Sequence, residues 1–185
     1  MADKRRPWTQ GLEADLAGAA GRGDSTAFRE IVDQFDSGLR GLAFRLLRDR
    51  DRMDDALQEA YIKAYRALPD YDGRSRLGTW LYRITYNVCI DELRRSGREE
   101  WVELDDNRVE FGADPGDHVS GHVSLVEALS RLSPGYQAVV LLIDGQGFDY
   151  RAAAEILDVA EGTVASRLHR ARQALVQTLT EGSRT

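Results

Sequence analysis

The amino-acid sequence predicts an all-α protein: two small helical domains joined by an extended acidic linker. Apolar residues recur at three- and four-residue spacings on both sides of residues 97–118, as amphipathic helices require. Residues 98–118 hold eight acidic side chains against two basic ones, include Gly112 and Pro115, and keep no sustained period, which reads as a linker. Near the C-terminus two helical patterns are separated only by Asp158-Val159-Ala160, the tight spacing of a helix-turn-helix. The expected boundaries are an N-terminal tail with the start of a first helix over 1–23, a first domain over 24–96, the linker over 97–118 and a second domain over 119–180.

In the first domain Asp24 or Ser25 caps a helix in which Phe28, Ile31, Val32 and Phe35 fall at core spacing. Leu39, Leu42 and Leu46 continue that stripe after Gly38. The alternating charges of residues 48–54 break it. Leu57, Ala60, Tyr61, Ala64 and Leu68 mark a second helix, which ends at Pro69. The loop Tyr71-Asp72-Gly73-Arg74-Ser75-Arg76 follows, and then a helix from about Thr79 to Arg95 with Leu77, Leu81, Ile84 and Val88 as its core stripe. Arg83, Asn87, Arg94 and Arg95, together with Trp80, Tyr82 and Tyr86, offer cations and ring faces suited to unstacked single-stranded bases. Because aromatic residues at helical spacing are usually core, Trp80 is expected to be largely buried and at least one of Tyr82 and Tyr86 exposed.

The second domain begins with a helix over 119–132, with Val126, Leu129 and Leu132 facing inward. Pro134 opens a strongly apolar helix over 134–144, and Gly145-Gln146-Gly147 ends it. Asp149 caps a short Ala-rich helix over 149–157. After the turn, residues 161–175 (EGTVASRLHRARQAL) place Val164, Leu168, Ala171 and Leu175 on one apolar stripe. Ala165, Ser166, His169 and Arg170 share another face, with Arg167 and Arg172 on its flanks. A core stripe opposed by a Ser/His/Arg face is what a major-groove reader helix needs. Thr163 and Arg167 are placed for phosphates near the helix N-terminus.

Charge and composition narrow the function classes. The net charge is −6, and the whole acidic excess lies in residues 98–118; the remainder is neutral. A chain of this charge gains little from counterion release, so duplex binding is expected to be weak until a partner unmasks the basic faces. The acidic segment is a spacer or a mimic of nucleic acid in a basic channel. With no signal-peptide pattern and no long apolar run, a cytoplasmic location is expected. The single Cys89, flanked by Val88 and Ile90, reads as a buried structural thiol. No catalytic, cofactor or metal site is expected: there is no Gly-rich phosphate loop, and Asp114, Asp117, His118 and His122 sit in a Gly/Pro linker without an orienting scaffold.

Two long stretches resemble a known family. DDALQEAYIKAYRALPDYDGRSRLGTWLYRITYNVCIDELRR (54–95) resembles region 2 of bacterial extracytoplasmic-function (ECF, group 4) sigma factors of the sigma-70 family. LSPGYQAVVLLIDGQGFDYRAAAEILDVAEGTVASRLHRARQAL (132–175) resembles their region 4, and Gly23-Asp24 with Ala27-Phe28 matches the usual start of region 2. The resemblance implies a non-enzymatic factor that binds core RNA polymerase and directs promoter-specific initiation. Asp54, Asp55, Gln58 and Glu59 would dock on the clamp coiled coil of the largest polymerase subunit, where carboxylates suit an Arg-rich helix. The loop with Asp72, Arg74, Ser75 and Arg76 would capture a base flipped from the non-template strand at the minus-ten element. Arg83 and Asn87, on the helix carrying Trp80, would hold adjacent bases and backbone, so that melting needs only binding energy. Ser166, His169 and Arg170 match positions facing the minus-thirty-five element. Promoter DNA, double- and single-stranded, is therefore an implied partner, and an anti-sigma factor is a further one the family allows; membrane insertion is not implied.

Four positions depart from the family pattern. Ala165 stands where Lys or Arg is common, Ala160 replaces a Ser N-cap, Asp158 stands in place of a turn Gly, and Ile143 replaces a commonly basic residue. The lost cap costs about 1 kcal/mol of local helix stability, whereas Asp tolerates positive φ. The alternative reading, a stand-alone helix-turn-helix regulator on its own operator, leaves residues 54–95 without a role.

Overall fold

A computed structural model describes residues 10–96 and 124–181. Every regular element among them is helical: α1 Gln10–Gly21, α2 Ser25–Leu47, α3 Arg50–Ala67, a 3-10 turn Leu68–Asp70, α4 Leu77–Arg95, α5 Leu125–Ser130, α6 Pro134–Val140, a π-turn Leu141–Gly145, α7 Tyr150–Leu157 and α8 Glu161–Glu181. Contacts divide the chain near residue 89 into two compact units. The acidic linker of 97–118 and residues 119–123 lie outside the described residues.

The first unit is built around the apolar face of α2. Asp24 caps this helix, its carboxylate accepting from the amides of Thr26 and Ala27 at 2.9 and 3.1 Å. Ile31, Leu39, Leu42 and Leu46 are buried, while Phe28, Val32 and Phe35 are half-buried. The break expected over 48–54 is narrower than the charges suggest. Arg48 alone turns into the left-handed region at φ 56°, Asp49 caps α3, and Met53 is already core. Local capping restarts the helix within two residues, so the charged run becomes its solvent face. On α3, Leu57, Ala60, Ala64 and the following Leu68 are buried as expected, with Tyr61 at the margin.

Of residues 1–23, expected to hold a tail and the start of a first helix, the described part is a helix of its own. Residues 10–21 form a complete helix, packed on α2 and on the 3-10 turn, with Glu13, Ala17 and Ala20 buried. Its Ala- and Gly-rich sequence has little apolar contrast, so no stripe announced it. Helix α4 also starts two residues early, at Leu77. Gly78 lies where α4 meets α2: a Cβ there would stand 2.9 Å from Cε1 of Phe35, so a larger residue requires the Phe35 ring to shift.

In the second unit, Ser124 and Glu127 form a capping box that starts α5. Leu129 and Leu132 face inward as expected, but Val126 is 62% exposed, because the whole first turn of α5 is in solvent, with Ser124, Leu125 and Glu127 exposed beside it. Helix α6 is buried along its length. The expected helix over 134–144 widens after Val140 into a π-turn, a one-residue adjustment that periodicity does not reveal. Asp149 caps α7, its carboxylate accepting from Ala152 at 2.7 Å. Asp158 ends α7 in the left-handed region at φ 55°, where Asp is tolerated. Val164, Leu168, Ala171 and Leu175 close the core.

Tyr136 of this unit is fully buried, and its hydroxyl has no hydrogen-bond partner among the described residues. An unsatisfied buried hydroxyl costs about 1–3 kcal/mol. Tyr136→Phe should therefore stabilise the unit by about 1 kcal/mol or more; a lower melting temperature for the variant would contradict this.

Candidate nucleic-acid interface

Three surfaces carry the residues singled out in the sequence. The first is the loop after α3 together with the outer stripe of α4. Tyr71 opens the loop and donates its hydroxyl to the Ser75 carbonyl at 2.6 Å, closing the turn. Asp72 accepts from the Arg74 amide at 3.0 Å and pairs with the Arg74 guanidinium at 3.0 Å. Gly73 supplies a φ of 71° between them. Burial, then the Glu13 and Asp72 carboxylates, raise the Tyr71 phenol above its ordinary pKa, so the hydroxyl remains a donor.

The loop is tied down from a distance by a residue the sequence did not bring forward. Glu13 of α1, 6% exposed, accepts from Arg76 Nη2 at 3.2 Å and from the Leu77 amide at 3.4 Å. Its carboxylate thus sits against the N-terminus of α4, where free amides and the helix dipole favour negative charge. Glu13 and Asp15 are both acids of α1 and only Glu13 is buried, so no local sequence signal marks it for this role.

On α4 the aromatic expectation is reversed. Tyr82 and Tyr86 are both buried, at 3% and 8% exposure, whereas Trp80 is half-exposed. The cause is the breadth of the buried arc, which also takes in Thr79, Thr85, Cys89 and Leu93 and leaves one solvent stripe. Trp80, Arg83 and Asn87 fall on that stripe at spacings of three and four residues, and continue towards Asp91 and Arg94. The Trp80 ring lies 5.2 Å from that of Tyr71, joining the stripe to the loop. Arg94 and Arg95 pair with Asp91 and Glu92 of their own helix.

The second surface is the outer face of α3. Asp54, Asp55 and Gln58 are exposed and Glu59 is half-buried. Arg40 reaches Asp54 at 2.6 Å and Asp36 at 3.0 Å, and Lys63 pairs with Glu59 at 2.8 Å. Beside these acids lies a groove of about 730 Å³, floored by Phe28, Leu57, Tyr61, Ile62 and Tyr65. Ile62 and Tyr65 are exposed at 44% and 43%, and the Phe28 and Tyr65 rings meet edge to face at 5.0 Å. Ile62 and Tyr65 form an exposed apolar pair three residues apart, each one position beyond Tyr61 and Ala64 of the core stripe that drew attention.

The third surface is α8. Ala165, Ser166 and His169 are exposed and Thr163 and Arg170 half-exposed. Ser166 donates to the Thr163 carbonyl at 3.0 Å, leaving its oxygen as an outward acceptor. The two flanking arginines differ from the pattern of the sequence. Arg167 is buried at 6% exposure, because it shares the side of α8 that carries Val164, Leu168 and Ala171. Arg172 holds Asp144 with two bonds, from Nε at 3.1 Å and Nη2 at 2.5 Å, fastening α8 to the π-turn. Ala160 occupies the cap position with its carbonyl alone, accepting from Thr163 and Val164 at 2.9 and 3.1 Å. Among the described residues no His/Cys/Asp/Glu group is arranged to hold a metal ion, and no helix is long and apolar enough to cross a membrane.

Comparisons with known proteins identify both units. Residues 31–99 match the model for Sigma-70 region 2, and residues 122–175 match that for Sigma-70, region 4. The chain is 35% identical over 167 residues to the ECF RNA polymerase sigma factor SigM of Mycobacterium tuberculosis strain H37Rv, covering 90% of this chain and 84% of that protein. It is 30% identical over 185 residues to the RNA polymerase sigma-H factor of Pseudomonas aeruginosa, covering 92% and 95%. Among solved structures, CnrH in complex with the cytosolic domain of CnrY superposes with a TM-score of 0.69 at 26% identity, covering 91% and 97%. The sigma factor RpoE bound to the anti-sigma factor NepR from Bartonella quintana gives 0.64 at 30% identity, covering 83% and 96%. With family models matching both units and relatives 30% and 35% identical over most of their length, the chain belongs to the extracytoplasmic-function RNA polymerase sigma factors.

Proposed function

We propose that this chain binds core RNA polymerase in the cytoplasm, reads minus-thirty-five and minus-ten elements, and opens the promoter by holding flipped non-template bases. The observation that carries the reading is the single solvent stripe of α4, which places Trp80, Arg83 and Asn87 together beside the loop Tyr71–Arg76. An exposed ring supplies stacking, a guanidinium meets phosphate or a base edge, and an amide reads a Watson–Crick edge. Asp72, Arg74, Ser75 and Arg76 form the turn that frames the captured base. Extruding a base costs a few kcal/mol, which stacking and hydrogen bonds offset without a chemical step on the sigma factor.

Asp54, Asp55, Gln58 and Glu59 face the clamp coiled coil of the largest polymerase subunit, with Ile62 and Tyr65 adding apolar contact. On α8, Ser166, His169 and Arg170 read the minus-thirty-five bases and Thr163 contacts phosphate. Arg167 supports this face from the buried side of the helix. An anti-sigma factor fits as a further partner, since CnrH and the Bartonella RpoE were solved with protein partners.

Run-off transcription on a library of start sites tests the proposal. Core polymerase with this chain should start at a defined subset that core alone ignores. Identical start profiles with and without the chain would overturn it. Ala165→Arg restores a cation at an exposed position of the reader helix. It should raise holoenzyme affinity for promoter duplex several-fold at low salt, with a steeper salt dependence; an unchanged affinity would remove Ala165 from the interface.

A further inference from the structure

Arg40 of α2 lines the groove beside α3, together with Asp54, Gln58 and Tyr61 of α3. Its guanidinium holds two carboxylates at once. Nε donates to Asp36, one turn back on the same helix, at 3.0 and 3.2 Å from the two carboxylate oxygens. Nη1 donates to Oδ1 of Asp54, across the helix pair, at 2.6 Å. Asp36 in turn accepts from the Tyr61 hydroxyl at 2.8 Å. The four side chains form a bridge that leaves α3 at Tyr61 and returns to it at Asp54. We propose that Arg40 is a positioning residue for polymerase docking: its fork fixes the Asp54 carboxylate at the groove, ready for a basic side chain of the partner.

This role deepens the proposed function and rests on it, because Asp54 is one of the residues assigned to the clamp coiled coil. Asp54 is exposed, and a free carboxylate there would lose its rotamer freedom on docking. Held by Arg40, it is ordered before the partner arrives, and binding then carries less of that cost. Among the described residues Arg40 bonds only Oδ1 of Asp54, so Oδ2 keeps its acceptor capacity for the partner. A single exposed ion pair would hold Asp54 weakly. Here the fork is itself held, by Asp36, which the half-buried Tyr61 anchors to α3. Burial, then the Asp36 carboxylate, raise the Tyr61 phenol above its ordinary pKa, so it stays a donor. Charge alone predicts the opposite effect. Without Arg40 the groove edge becomes more negative, and a basic partner helix should bind it more tightly. The sign of the change therefore separates positioning from bulk charge.

The test is a titration of the full chain, labelled at its N-terminus, with core RNA polymerase, read by fluorescence anisotropy. Asp54→Asn should weaken binding about tenfold. Arg40→Gln should weaken it several-fold, although it makes the groove edge more negative. The double variant Arg40→Gln/Asp54→Asn should bind no more weakly than Asp54→Asn, because Arg40 acts through Asp54. Arg40→Lys, which keeps the charge without the fork, should recover at most part of the loss. Unchanged or tighter binding by Arg40→Gln, full recovery by Arg40→Lys, or losses that add in the double variant would refute the positioning role and leave docking on α3 standing. If Asp54→Asn binds like the parent, the positioning role and the docking assignment of Asp54 both fail. A parent chain that does not bind core polymerase would overturn the proposed function itself. Circular-dichroism melts matching that of the parent establish that the variants are folded.

Discussion

Leu168→Ala is expected to cost the C-terminal unit most of its stability. Leu168 is 1% exposed and belongs to the stripe that closes the helix-turn-helix core. Truncating a buried leucine costs about 2–5 kcal/mol, against about 5–15 kcal/mol for a whole native protein and less for a small unit. Amides of α6, α7 and α8 should lose most of their hydrogen-exchange protection, while those of α2 and α3 keep theirs. Ser166→Ala, one turn face away and exposed, should change stability by no more than about 0.5 kcal/mol. Equal loss of protection in both units under Leu168→Ala would contradict an effect confined to the C-terminal one.

Glu13→Ala should weaken promoter opening although Glu13 reads no base. Its carboxylate is buried against the first turn of α4 and holds both Arg76 and the Leu77 amide. A hydrogen bond involving a charged group contributes about 1.5–3 kcal/mol, and its loss leaves a helix-terminal amide without a partner. Because the loop Tyr71–Arg76 would no longer be held in one place, open-complex formation should fall roughly tenfold, the equivalent of about 1.4 kcal/mol. Duplex binding through α8 should be untouched. Glu13→Gln, which keeps an acceptor without the charge, should fall in between; a Glu13→Ala protein that opens promoters normally would exclude a positioning role.

Helix positions and capping were legible in the sequence wherever a strong stripe met a capping side chain. Asp24, Asp149 and the core series Val164, Leu168, Ala171 and Leu175 lie where spacing put them. Cys89 is buried, as its apolar neighbours implied. The failures share a physical cause: periodicity reports that a residue is apolar, not how wide the covering arc is. Helix α4 is covered on so broad an arc that Tyr82 and Tyr86 go in and Trp80 is left half outside. Conversely the first turn of α5 is uncovered, which leaves Val126 in solvent. Helix α1 escaped notice because alanine and glycine give no contrast, and with it went Glu13, whose partners lie more than 60 residues away. Arg167 and Arg172 looked alike on a helical projection, yet one is buried and the other is held by Asp144 across the unit. Such long-range pairings have no local signature.

The most direct measurement is permanganate footprinting of a promoter from the run-off library, without nucleotides, using core polymerase with this chain or with its Arg83→Ala/Asn87→Ala variant. Thymines downstream of the minus-ten element should become reactive with the intact chain, stay paired with core alone, and lose most of their reactivity with the variant. Protection of a closed duplex by the chain alone, with no reactive thymines when core is added, would instead identify a self-sufficient operator-binding regulator.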